Sequence, residues 1–116
     1  AGAYHSPLMQ PAQAGLEESL ANVELREPTV PVYSNVTGQV HAGAETIAVT
    51  MVEQVTSSVK WEACIRAMIA DGVTRFIELG PGTALTGFMR RIDRGLEVHN
   101  IADNVSLAKT VEALNT

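Results

Sequence analysis

At 116 residues the chain is long enough for one domain, or for one piece of a larger one. Hydrophobic residues make up 46% of it and aromatics only 4%, so a core must come mostly from Ala, Val, Ile, Leu and Met. Thirteen acidic against eight basic residues give a net charge of −5, which argues against a nucleic-acid binder needing a basic stripe for phosphates.

The one dense positive run is Arg90-Arg91-Ile92-Asp93-Arg94. Cys64 is the single cysteine, so no disulfide can form within the chain and a reducing compartment is expected. No apolar run approaches the roughly 20 residues that span a bilayer, and no signal peptide opens the chain. A cytoplasmic location without membrane contact is therefore the expectation. Asn35-Val36-Thr37 and Asn104-Val105-Ser106 match the glycosylation sequon and are read as chance matches. The opening Ala1-Gly2-Ala3-Tyr4-His5 has no initiator Met, a hint that upstream sequence is missing.

In chain order, Pro11 begins a helical stretch to about Val23, with Leu16, Leu20 and Val23 on one face. Glu27-Pro28 ends it. Val30 to Ser34 reads as a short buried strand, which Pro31 confines to an edge or an early position, and Thr37-Gly38 turns it. Ala44 to about Val55 is helical through Ile47, Met51 and Val55. Ser57 or Ser58 caps the next helix, whose stripe Trp61, Cys64, Ile65, Met68 and Ile69 is the clearest helical period in the chain. Gly72 stops it. Arg75 to Leu79 is a strand, Gly80-Pro81-Gly82 a sharp turn, and Thr83 caps a helix bearing Leu85, Phe88, Met89 and Ile92. After Gly95, Leu96 to Ile101 is a third strand, and Asp103 or Asn104 caps a last helix through Leu107, Val111 and Leu114. Alternating strands and helices predict an α/β fold with a mostly parallel sheet flanked by helices.

Three segments can carry chemistry. In Gly2-Ala3-Tyr4-His5-Ser6-Pro7-Leu8-Met9, His5 has an imidazole that can take a proton from a hydroxyl and return it to a leaving thiol. Ser6 is a poor nucleophile candidate, because a neighbouring side chain on extended backbone points the other way, and Ser6-Pro7 reads as a turn. In Phe76 to Gly87, Gly80-Pro81-Gly82 sets backbone N–H groups at the C-terminal edge of a strand, where α/β folds bind ligands. The glycine spacing there does not fit a nucleotide fingerprint, and Glu78 reads as facing solvent or an arginine. In Pro31-Val32-Tyr33-Ser34-Asn35-Val36-Thr37-Gly38, Asn35 can either cap a turn or hydrogen-bond near a site.

Taken together and in order, G-A-Y-H-S-P-L-M, P-V-Y-S-N-V-T-G, V-K-W and F-I-E-L-G-P-G-T-A-L-T-G-F-M-R-R-I resemble malonyl-CoA:acyl-carrier-protein transacylases. The resemblance implies an α/β-hydrolase-like acyltransferase domain. Residues 1–116 would be the C-terminal portion of its large subdomain, with the serine elbow and the ferredoxin-like insert absent from this chain. It implies a ping-pong reaction in fatty acid biosynthesis: a serine takes malonyl from coenzyme A and passes it to the phosphopantetheine thiol of acyl carrier protein. The implied partners are malonyl-CoA, acyl carrier protein and the missing N-terminal part of the same enzyme. Coenzyme A enters as a thioester substrate, with no bound cofactor and no metal.

Residue by residue, the resemblance makes His5 the general base and then the acid. It assigns the backbone carbonyl that orients the histidine to Gln54, although Ser58 replaces the proline usual nearby. Asn35, Gly80, Pro81 and Gly82 match positions lining the site. The arginine that grips the malonyl carboxylate lies upstream in the family, and none of Arg66, Arg75, Arg90, Arg91 or Arg94 sits in its context. Gly2-Ala3-Tyr4-His5 resembles malonyl-using rather than methylmalonyl-using members. No G-x-S-x-G occurs in the sequence, so the chain alone is expected to be inactive. Two alternatives remain open: an acyltransferase domain of a polyketide synthase, and a non-catalytic α/β interaction module.

Overall fold

The computed structural model describes residues 2–115, and the chain divides into two compact units, with the division after Ala67. In the first unit a 3₁₀ turn, Pro7–Met9, leads into helix α1, Pro11–Ala21. Pro11 suits the helix start, because its fixed φ is already helical and its missing N–H would have had no partner there. The helix stops two residues before the predicted Val23, where Asn22 turns out of helical geometry and donates its side-chain amide to Glu18 O. Helix α2, Ala44–Glu53, packs against α1. Its N-terminus is held from outside: Glu27 Oε1 accepts from Ala44 N at 3.0 Å, placing a carboxylate on the positive end of the helix.

The expected buried strand Val30–Ser34 does not form, and Val30 and Val32 are exposed. The segment makes one isolated antiparallel bridge, Tyr33 to Val40, by folding back on itself. Ser34 N donates to Gln39 O at 2.8 Å and His41 N to Val32 O at 2.9 Å, with a turn closed by Gly38 N to Ser34 O. Pro31 lacks a donor, so the ladder cannot extend on that side. Helix α3, Trp61–Ala70, also departs from expectation. Neither Ser57 nor Ser58 caps it, because the helix begins at Trp61 and its cap position falls on Lys60, beyond both serines. The helix starts where Lys60 O accepts from Cys64 N, while Lys60 N donates to Asn35 O at 2.8 Å. Cys64 and Ile65 are each only 2% exposed. The Cys64 thiol donates to Ser34 O, and burial pushes its pKa up, so it stays a neutral thiol.

The second unit is a βαβα arrangement. Strands β1, Arg75–Leu79, and β2, Glu97–Ile101, pair in parallel from Arg75 opposite Glu97 to Leu79 opposite Ile101. Two parallel strands need a long crossover, here helix α4, Ala84–Ile92. Helices α4 and α5, Asn104–Leu114, both pack against β2. The described sheet thus has two strands, not three, since the Val30–Ser34 segment does not contribute one. Glu97 ties the strand pair together, reaching Arg75 at 2.8 Å and His99 at 2.7 Å. Asp103, not Asn104, caps α5: its carboxylate accepts from Ser106 N at 2.8 Å, and Ser106 Oγ accepts from Asp103 N.

One close approach fixes the turn before α3. Gly38 has φ +75°, and a Cβ built there would lie 2.7 Å from Ala63 Cβ. Both the backbone and the packing therefore require glycine. Gly38→Ala is expected to lower stability by about 1–3 kcal/mol in urea denaturation. A second change, Ala63→Gly, should recover only part of that loss, since it relieves the contact but not the φ.

Candidate active site

Helix α2 ends in carbonyls that no residue within the helix can satisfy. Thr50 O takes Gln54 N at 2.9 Å, Val52 O takes Val55 N, and Glu53 O takes Thr56 N and Ser57 N. The carbonyl of Gln54, just past the end of the helix, is met by His5 Nδ1 at 2.8 Å, from 49 residues earlier in the chain. A carbonyl oxygen only accepts, so the proton on that line belongs to Nδ1. Neutral His5 is then the Nδ1–H tautomer, and Nε2 keeps its lone pair.

His5 is the one non-glycine residue with positive φ among the described residues, at +57°. That left-handed backbone costs about 1–2 kcal/mol. It is held by the Gln54 contact and by Ser6 Oγ, which donates to Ala3 O at 2.6 Å across the turn. Ser6 therefore serves the turn, as its sequence context indicated.

Gln54 is fixed from a second side. Its Oε1 accepts from Asn35 Nδ2 at 3.3 Å, and Asn35 O accepts from Lys60 N. His5, Gln54 and Asn35 thus form one connected chain of hydrogen bonds inside the first unit. A further tie had no signal in the sequence. Gln13, on α1, donates Nε2 to Val52 O at 3.1 Å and to Thr56 Oγ1 at 3.3 Å. Its partners lie 39 and 43 residues away, beyond the reach of any local pattern.

Gly80, Pro81 and Gly82 belong to the second unit. Gly80 and Gly82 have φ +130° and +87°, conformations that glycine adopts without strain. The turn is tied down by Asn100, whose side-chain amide donates to Gly82 O at 2.8 Å, while Gly80 N extends the ladder to Ile101 O at 3.0 Å. Thr83 was expected to cap α4, but its side chain makes no capping bond. Glu78, read from sequence as facing solvent or an arginine, does that work from β1. Its carboxylate accepts from Leu85 N at 3.2 Å, Thr86 N at 2.9 Å and the Thr86 hydroxyl at 2.6 Å. These bonds, led by the Thr86 hydroxyl, hold the Glu78 carboxyl below its ordinary pKa. Among the described residues, no group of three or more His, Cys, Asp or Glu is placed to hold a metal ion, and no helix is long and apolar enough to cross a membrane.

No family model matches the chain. Individual proteins do. The chain is 36% identical over 113 residues to the malonyl CoA-acyl carrier protein transacylase of Bacillus subtilis, covering 97% of this chain and 36% of that protein. The crystal structure of the MCAT from Streptococcus pneumoniae superposes with a TM-score of 0.92 at 34% identity, covering 97% of this chain and 37% of the other. A malonyl-transacylase solved in complex with a type II PKS acyl-carrier protein superposes at TM-score 0.87 with 33% identity, covering 95% and 36%. The fold is thus that of an α/β acyltransferase domain. Within that class, the chain is similar to the malonyl-CoA:acyl-carrier-protein transacylases, and it spans about a third of the length of the relatives it matches.

Glu78 offers a test of how the second unit is held. A carboxyl whose folded pKa is depressed adds stability above its unfolded value, near 4.3 for Glu. That stability is lost as pH falls through the folded value. Glu78→Gln keeps an acceptor oxygen but removes the charge. The variant is expected to melt below the parent by a constant margin from about pH 7 to pH 5, and the two melting temperatures should converge toward pH 3. A margin that stayed constant to pH 3 would rule out the charged cap.

Proposed function

We propose that this chain carries the histidine part of a serine–histidine acyl-transfer site that moves malonyl from coenzyme A to the phosphopantetheine thiol of acyl carrier protein. The observation that supports it most directly is the 2.8 Å bond from His5 Nδ1 to Gln54 O, which leaves Nε2 as the base. The likeness to malonyl-CoA:acyl-carrier-protein transacylases supports the same reading. The nucleophilic serine and the oxyanion-hole N–H beside it are not among these 116 residues, which contain no G-x-S-x-G. On this reading the rest of the protein supplies them.

In the first half-reaction His5 Nε2 takes the proton of the serine hydroxyl as its oxygen attacks the thioester carbonyl. The tetrahedral adduct then collapses. The carbon–sulfur bond breaks, and the coenzyme A sulfur leaves with the proton from Nε2. In the second half-reaction Nε2 takes the proton of the phosphopantetheine thiol. The sulfur attacks the malonyl-serine ester, and the serine oxygen leaves with that proton. Through both halves Nδ1–H stays bonded to Gln54 O, the place a carboxylate fills in a triad. Coenzyme A enters as substrate, no bound cofactor is required, and the reaction would run in the cytoplasm. Because one neighbour is a transacylase bound to a type II PKS acyl-carrier protein, the carrier assay should compare fatty-acid and polyketide carrier proteins.

In the serine-bearing protein, His5→Ala is expected to lower malonyl transfer to holo carrier protein by about 100- to 10,000-fold with the fold retained. Near-normal turnover would refute the role of His5. The 116-residue chain alone should transfer no malonyl above background. Turnover that survived repurification would contradict the need for an outside serine, and a serine-free natural protein would point instead to an interaction module.

A further inference from the structure

The position of Gln54 O decides where the imidazole sits, so whatever holds the end of α2 against the His5 segment holds the base. His5 and Gln13 lie on the same short stretch, joined through the Pro7–Met9 turn and the first turn of α1. Their partners also lie on one short stretch, Val52 to Thr56. The two segments are therefore tied twice: by His5 Nδ1 to Gln54 O, and by Gln13 Nε2 to Val52 O and Thr56 Oγ1. The amide orientation of Gln13 is set by chemistry, since Val52 O accepts only and must face the NH₂. Its two N–H groups meet oxygens two residues before and two residues after Gln54. Val52 O also takes Val55 N, so both of its lone pairs are used. Asn35 holds only the side chain of Gln54, whereas Gln13 grips backbone before it and the Thr56 side chain after it.

We infer that Gln13 is a positioning residue for His5, fixing the Gln54 carbonyl so that Nε2 is aimed at the reacting proton. The inference rests on the acyl-transfer reading above. Without the clamp, α1 and α2 still pack through their apolar faces, but the carbonyl is free to shift. A displacement of about 1 Å at such a contact costs up to about 100-fold in rate.

The test uses the serine-bearing protein. Gln13→Met keeps length and apolar bulk but has no donor. It is expected to lower kcat by about 10-fold with KM for malonyl-CoA unchanged, and to shift the His5 Nδ1 resonance in ¹⁵N NMR. In a His5→Ala background the same change should cost nothing further, because it acts only through the imidazole. Gln13→Lys, whose ammonium can donate to the same two oxygens, should recover most of the loss and keeps the test usable if the Met variant folds poorly. Unchanged kcat and an unchanged His5 resonance in Gln13→Met would overturn the inference, as would an equal loss in the His5→Ala background. If His5→Ala itself kept full turnover, the acyl-transfer reading would fall. The ¹⁵N shift would then still report separately whether Gln13 sets the ring.

Discussion

Carbonyl groups at the end of a helix have no partners within it, and at the end of α2 that deficit organises the first unit. The turn after Glu53 satisfies some of them internally. The Gln54 carbonyl is left to accept the His5 ring N–H, and Val52 O takes a second bond from Gln13. One unmet backbone acceptor thus selects a tautomer and aims a lone pair. The same contact helps hold His5 at a φ of +57°, a strained backbone of the kind that surroundings must over-determine if it is to persist.

The second unit solves the opposite deficit. The first N–H groups of α4 lack acceptors, and the residue at the cap position, Thr83, leaves them unmet. Glu78 reaches over the glycine turn and takes two of them plus the Thr86 hydroxyl. Strand β1, the turn and α4 are thereby coupled through one carboxylate, and Asn100 fastens the turn to β2. Glu27 does the same for α2, accepting from Ala44 N across 17 residues. Both acids look like ordinary surface charges in the sequence, and each proves to be a helix cap supplied from outside the helix.

Helix α3 shows how tightly local choices depend on distant ones. Its start is set by the Asn35 carbonyl on Lys60 N and by the space that Gly38 leaves for Ala63. Two serines with good capping chemistry stand just upstream and are bypassed, because the first helical residue is Trp61 and the cap position falls on Lys60.

The sequence by itself determined the α/β class, the five helices and the parallel pair, because apolar spacing and glycine or proline stops are local properties that the chain carries wherever it goes. It also carried the resemblance that singled out His5, Gln54 and Asn35, which the structure joins in one hydrogen-bonded chain. Tertiary structure alone decided that Val30–Ser34 would fold back on Val40 instead of joining a sheet, since strand formation depends on a partner as much as on propensity. It alone revealed Gln13 and Glu78. Their partners lie 39 and 43 residues away for Gln13 and across a turn for Glu78, and a hydrogen bond between such groups leaves no period in the sequence to read.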